Sequence, residues 1–428
     1  MSPFRKTAPQ VYSVDKIDFI EPVHQLLPGG TSFFTLYGGT QEVVKLDFSF
    51  RAGSWYESGK LESMMAACMI SEGTSGKTAR EIADRIDFYG AQFSSLPYYD
   101  NNYISLLSLK KHLPNLLPLL AEIIQDASFP EHEFEIARQK RKQRALVDAE
   151  KVGLVAQRNF LRSVMGETHP YSPVSSPEAY DNVTLEGAKH HYHRHYYSAN
   201  ATLFASGDVD DEVTKLIEQN LGNQWGTPSP VIENQPLTMG TSGKRIFIER
   251  ENANQNAITI GKRVPTQHHP DSAGLKLLTT IFGGYFGSRL MSNLREEKGL
   301  TYGIHASVVS FVRDAIFMIH AEVTAEKTEE AIKEIFHEMQ RLCDDLVPET
   351  ELAPLRSFLL GRMLEDFDGP FARAQSFSSL YEAELEVGYF DHIIHTIKTT
   401  TPEQIRELAR KYFDPGTMCT VAAGKSFK

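Results

Sequence analysis

Arg295 and Tyr302 are the two residues of this 428-residue chain whose types and spacing best suit a chemical task. They lie in Ser288-Arg-Leu-Met-Ser-Asn-Leu-Arg-Glu-Glu-Lys-Gly-Leu-Thr-Tyr-Gly-Ile304. The pattern predicts a helix from about Arg289 to Lys298, with Leu290, Met291 and Leu294 on its apolar side. Gly299 suits a left-handed terminator and Lys298 suits the negative end of the helix dipole; a strand is predicted from Leu300. That turn brings Arg295 and Tyr302 to one corner. A held guanidinium beside a phenol can grip a carbonyl oxygen, or the tetrahedral oxyanion formed from it. An ordinary helix-end arginine and a half-buried strand tyrosine fit the same residues. On these residues alone, the plainer reading is favoured.

An internal repeat supplies the elements that must hold this corner. Residues Thr184 to Gly207 match Thr401 to Gly424 at one constant offset: Thr184 meets Thr401, Glu186 meets Glu403, Tyr196 meets Phe413 and Gly207 meets Gly424. Each copy reads as a Thr-x-Glu helix start, an amphipathic helix, an aromatic pair, a short turn and an apolar strand ending in glycine. Between the copies, Gly226 to Gly243 is rich in proline, glycine and serine and reads as an extended linker. Two homologous domains, 1–225 and 244–428, are therefore expected on either side of a linker at 226–243. Val43 to Phe50 and Ala257 to Ile260 read as strands entering the two domains, each followed by a long helical segment. Thr301 to Phe311 and Ala315 to Val323 form a predicted hairpin around Arg313-Asp314. A helix opens at Thr328, with Ile332, Ile335, Phe336, Met339 and Leu342 at helical spacing. The fold class is α+β: two homologous domains, each a mainly antiparallel sheet with helices packed on one face.

Composition narrows the function classes. Hydrophobic content of 41%, 23% charged residues and a net charge of −11 describe a globular protein and argue against a nucleic-acid partner. The basic run Arg138 to Arg144 falls in a charge-rich helical stretch and reads as a solvated or carboxylate-paired face. Cys68, Cys343 and Cys419 have no CxxC spacing, so neither a disulfide framework nor a cysteine metal site is predicted. No apolar run reaches membrane-spanning length and none follows the N-terminus as a signal region, so no membrane is expected and the default location is cytoplasmic. His190, His191, His193 and His195 include a pair one helical turn apart, but no further ligand follows at a matching interval, and a surface helix is the expectation. Phe282 to Ser288 lacks the lysine of a phosphate loop and is read as a flexible turn.

Further motifs join the Arg295 to Tyr302 segment on this duplicated chain. Gly53-Ser-Trp-Tyr-Glu, Glu72-Gly-Thr74, Ala79-Arg-Glu-Ile82, Phe129-Pro-Glu-His-Glu-Phe134, His169-Pro-Tyr-Ser-Pro173, Ser206-Gly-Asp208 and Phe282-Gly-Gly284 follow in order. Together they resemble the M16 peptidase family, the inverted-motif zinc peptidases related to pitrilysin and the mitochondrial processing peptidase, over nearly the whole chain. The resemblance implies an M16/LuxS-like metalloenzyme fold. Competent members carry His-x-x-Glu-His on the first long helix, two histidines holding zinc and the glutamate serving as base. Here Met64, Ala67 and Cys68 stand at those positions, with Met64 nine residues before Gly73. The third ligand, a glutamate roughly 76 residues further on in the family pattern, falls at Arg144 beside Gln143. This chain is therefore expected to bind no zinc.

Some M16 members are heterodimers in which one subunit brings zinc and the other brings the arginine and tyrosine. The resemblance thus implies a non-zinc subunit, with Arg295 and Tyr302 serving a peptide substrate beside a zinc-bearing partner. The alternative is a catalytically inactive scaffold or peptide-binding protein, as a core subunit or a homodimer.

Overall fold

The computed structural model describes residues 14, 17, 19–174, 176–228, 240 and 243–426. Most of the linker (229–239 and 241–242) and the N-terminal stretch 1–13 lie outside the described residues.

In the first half the strands are β1 (Val23–Leu26), β2 (Ser32–Tyr37), β3 (Val43–Phe50), β4 (Gln92–Pro97), β5 (Asn102–Leu109) and β6 (Ala201–Gly207). Its helices are α1 (Glu62–Met69), α2 (Ala79–Phe88), α3 (Leu113–Gln125), α4 (Glu131–Ala149), α5 (Val152–Met165), α6 (Leu185–His195) and α7 (Asp211–Leu221). In the second half the strands are β7 (Arg245–Glu249), β8 (Asn256–Val264), β9 (Thr301–Ser310), β10 (Ala315–Val323) and β11 (Cys419–Gly424). The helices there are α8 (Ser272–Thr279), α9 (Thr328–Asp344), α10 (Glu349–Asp366), α11 (Gly369–Glu382), α12 (Gly388–Thr399) and α13 (Pro402–Tyr412).

The repeat folds alike in both places. Thr184 accepts from the Gly187 amide to cap α6, and Thr401 closes a capping box with Gln404 at the head of α13. Tyr196 and Phe413 are buried behind those helices, and both strands end in a glycine of positive φ, Gly207 at +102° and Gly424 at +151°. The sheets carry the same equivalence. Their orders are β1-β2-β6-β3-β5-β4 and β7-β11-β8-β10-β9. β6 lies parallel to β2 and antiparallel to β3, just as β11 lies parallel to β7 and antiparallel to β8. β4 and β9 are thus equivalent edge strands.

Helices of each half gather on one face of its own sheet, in accord with the predicted α+β class, and bury one large core per half. The opposite faces are covered by exchange, which the sequence does not show. α5, from the first half, packs across β8 and β11, where Phe160, Val164 and Met165 meet Ile316, Met318, Cys419 and Val421. In return, α11 packs on β2 and β6, where Ala374, Phe377 and Leu380 meet Phe34, Leu36 and Phe204. Strand alternation allows this, because Phe204 faces the exchanged helix while Leu203 and Ala205 face the home core.

A polar clasp pins the two halves at the β9–β10 turn. Arg313 lies over the Trp55 ring at 4.5 Å and donates to Asp100 Oδ1 (3.1 Å) and the Tyr56 hydroxyl (3.2 Å). Asp100 also accepts from the Tyr171 hydroxyl (2.5 Å) and the Val312 amide (3.1 Å). Removing the arginine leaves a half-buried carboxylate short of its cation. Arg313→Ala is expected to lower unfolding free energy by about 2 kcal/mol, read from the urea midpoint.

Candidate functional site

The Arg295–Tyr302 corner is built from a helix, a glycine and a bulge. The predicted helix is present, but Met291–Glu297 takes π geometry rather than α. The closing bonds show the wider ring: the Lys298 amide donates to the Asn293 carbonyl (3.0 Å) and the Leu300 amide to the Leu294 carbonyl (2.7 Å). Side chains tie this segment down on two helices. Asn293 Nδ2 donates to buried Glu338 (2.7 Å) and Lys298 pairs with Glu334 (2.6 Å), both on α9, while Arg289 makes two 3.0 Å bonds to Glu351 on α10. Gly299 has φ +57°, and a Cβ there would meet nothing within 4 Å. Its role as terminator is therefore conformational and not steric.

Tyr302 departs from the expected half-buried strand position. It has the same parity as the inward residues Ile304 and Ala306, so a regular strand would turn it into the core. The β9–β10 register instead passes from Ile304↔Ala321 to Thr301↔Val323, leaving Tyr302 and Gly303 opposite Glu322. The Thr301 hydroxyl holds this bulge, donating to the Glu322 carbonyl (2.7 Å) and accepting from the Gly303 amide (3.1 Å). The extra residue re-aims the phenol, which is 92% exposed. Arg295, in the last helical turn, lies over the partly exposed ring of Phe286 at 4.9 Å. Of the segment expected to be a flexible turn, Tyr285 to Ser288 does form a turn, but Phe282 to Gly284 belongs to a helix. Thr280–Gly284 is a buried π-helical turn, and a Cβ on Gly283 would stand 2.7 Å from Ala306 of β9.

The positions that parallel a metal site lie in the other half, on α1. Ala67 is buried, Met64 Sδ accepts from the Tyr180 hydroxyl (3.4 Å), and burial pushes the Cys68 thiol up. Arg141 of α4 reaches that thiol with its charge and a hydrogen bond. Arg144, the residue picked out by counting, does not. It lies one helical turn farther along α4 than Arg141, and its side chain is 70% exposed and pairs with Asp148 at 3.5 Å. One protonated thiol beside a guanidinium is a poor donor set for zinc. Among the described residues, no group of three or more His, Cys, Asp or Glu side chains is placed to hold a metal ion. The histidine expectation also needs correcting: His191 and His195 are buried, with ring centroids 4.6 Å apart, and His191 Nε2 meets the Ala52 carbonyl at 2.8 Å. Only His190 and His193 face solvent. Burial holds the inner pair well below the usual histidine range, His191 at about 4 and His195 at about 3.

Two cavities flank this region. One of about 420 Å³ borders Met64 and is lined entirely by first-half residues, Ser54 through Tyr180. The other, of about 940 Å³, lies between the halves, bounded by β4, the Val309–Val312 end of β9, and α11. Neither Arg295 nor Tyr302 lines either one. Glu57, in the smaller cavity, escaped the sequence reading because nothing local marks it. Burial pushes its carboxyl up to about 7, against the opposing pull of Lys60 and the Ser63 and Leu61 amides at the head of α1. Leu61 itself is held at φ +71°, a conformation that costs a branched side chain on the order of 1 kcal/mol.

Comparison with known proteins agrees with this architecture. Residues 36–178 match the family model described as insulinase (peptidase family M16), and 182–359 match that described as the peptidase M16 inactive domain. The chain belongs to the M16 peptidase family. An uncharacterized zinc protease of Rickettsia felis is 23% identical over 405 residues, covering 92% of this chain and 96% of that protein. Among solved structures, the peptidase M16 inactive domain from Pseudomonas fluorescens superposes with a TM-score of 0.85 at 22% identity, covering 95% and 98% of the two chains. A protease from Helicobacter pylori gives 0.87 at 18% identity, covering 95% and 100%. A chain of complex III2 from Candida albicans gives 0.77 at 15% identity, covering 94% and 95%. Within that family the chain has Met64, Ala67 and Cys68 where the His-x-x-Glu-His motif is expected.

Two outcomes follow from the local geometry. Gly299→Ala forces an L-residue into the left-handed region and is expected to cost about 1 kcal/mol of unfolding free energy, measured in urea. Glu57 binds its proton more tightly folded than unfolded, so its favourable contribution is complete below about pH 4.5 and is lost as pH rises through about 7. Glu57→Gln avoids burying the charge. Its melting temperature relative to the parent is therefore expected to rise between pH 5 and pH 8.

Proposed function

We propose that this chain is the non-zinc subunit of a heterodimeric M16 zinc metallopeptidase, and that Arg295 and Tyr302 serve a chamber shared with a zinc-bearing M16 partner. The observation that carries this reading is the bulge. It turns Tyr302 outward at the corner that follows the Arg295 helix, and neither residue lines either of the two cavities described above. A phenol kept in solvent by a strand irregularity fits a surface completed by another subunit. The metal-site positions support the same division of labour, with Met64, Ala67 and Cys68 on α1 and Arg141 against the thiol.

In this reading the partner's zinc supplies the polarised water. The residues of this chain handle the substrate. The Tyr302 hydroxyl donates to the scissile carbonyl oxygen as it gains charge and becomes tetrahedral, and Arg295 orients the tyrosine or the peptide backbone. Such a donor stabilises the transition state more than the ground state, by roughly 3 kcal/mol. Size and fit to the chamber, more than sequence, would select peptides or unfolded segments.

The test is Tyr302→Phe in a heterodimer reconstituted with a neighbouring-gene subunit that carries His-x-x-Glu-His. Peptide turnover is expected to fall about 100-fold, with KM little changed and assembly on gel filtration unaffected. Unchanged turnover removes the tyrosine from the mechanism, and proteolysis by the lone chain ends the proposal. Isolation only as a homodimer, or inside a larger assembly without a zinc-bearing companion, transfers the chain to the scaffold or peptide-binding alternative.

A further inference from the structure

The cavity beside Met64 has a lining that points to a ligand of its own. We infer that it binds a carboxylate borne on an apolar group, such as the C-terminal residue of a peptide, with the carboxylate on Arg158 and the apolar part between Met64, Leu161, Tyr99 and Tyr180. This inference concerns one chain alone and does not rest on the heterodimer.

Size, walls and charge all contribute. At about 420 Å³ the cavity falls within the range of small-molecule sites, about 300–1,000 Å³. Leucine, methionine, proline and tyrosine side chains make most of its wall. Its charged lining residues are Glu57 and Arg158. Glu57 is engaged, because its carboxyl takes the Ser63 and Leu61 amides and faces Lys60.

Arg158 is under-neutralised. Its ion partner, Asp148, stands at 3.5 Å and already holds Lys151 at 2.9 Å and Arg144 at 3.5 Å. Three cations share one carboxylate, so positive charge is left over. Arg158 lines the cavity together with Tyr99 and Tyr180. A guanidinium fork on an apolar floor matches a carboxylate joined to a hydrocarbon body better than it matches a cation or a neutral polar molecule. The substitution of Met64 for a metal-ligand type therefore does more than remove a ligand. It furnishes a soft apolar wall.

The experiment is isothermal titration of the full chain with N-acetylphenylalanine and with N-acetylphenylalaninamide, which differ at the carboxylate. The acid is expected to bind about tenfold tighter than the amide, the size of one charge-assisted hydrogen bond. Arg158→Gln should erase that preference while leaving amide binding unchanged, and Met64→Trp, which fills the cavity, should abolish both. Circular dichroism confirms that each variant is folded. Equal binding of acid and amide, no binding of either, or a preference that survives Arg158→Gln overturns the inference. Should Arg158→Gln not fold, the acid-to-amide ratio of the parent and the loss in Met64→Trp decide it.

Discussion

Exchange of α5 and α11 between the two sheets is the contact on which the rest of this structure depends. Without it, one sheet would present Ile316, Met318, Cys419 and Val421 to water, and the other Phe34, Leu36 and Phe204. Burying side chains of this size contributes roughly 1.5–3 kcal/mol apiece, so the exchange as a whole is worth on the order of 10 kcal/mol. Stabilisation of that order is comparable with the net stability of a domain, which makes the two halves one cooperative object. The interface also sets their relative placement, so that the cavity between them and the outward-facing corner at Tyr302 occupy fixed positions on one body. The Arg313–Asp100 clasp adds direction to an otherwise non-directional contact, because a guanidinium stacked on Trp55 admits few arrangements.

Within that frame the two halves differ in how their candidate positions are built. On α1, the face that parallels a metal site is apolar and closed, with a buried alanine, a methionine against Tyr180 and a thiol held protonated. At the β9 corner, several features oppose simple burial: a π turn, a left-handed glycine, a bulge and an exposed tyrosine. Such irregularities carry a cost and persist where surrounding contacts over-determine them. Asn293, Lys298 and Arg289, tied to Glu338, Glu334 and Glu351, are those contacts here. Irregular backbone is thus held in place at the β9 corner, while the α1 face is closed by apolar packing.

Much of this was legible in the order of residues. The repeat, its capping threonines, the hairpin around Arg313-Asp314, the helix opening at Thr328 and the Gly299 terminator all follow from neighbours within a few positions of one another. What counting could not settle was packing. Arg144 satisfies a spacing rule measured along the chain, yet Arg141, one helical turn earlier, meets Cys68, since the turn of α4 that reaches the thiol is set by how α4 packs on α1. His191 and His195 are buried for a similar reason: the helix that carries them packs against α1, a partner distant in sequence.

The sequence by itself determined the two-fold repeat, the α+β elements, the family and the chemical types available at each candidate position, because these depend on local propensity, periodicity and side-chain identity. Only the tertiary structure decided that the halves trade helices, that Arg141 meets the thiol, that a cavity opens beside Met64, and that Tyr302 turns out and not in. Each of these hangs on a pairing between residues far apart in the chain. The bulge is the sharpest case: one extra residue opposite Glu322 reverses the parity of β9, and that register exists only once β10 is beside it.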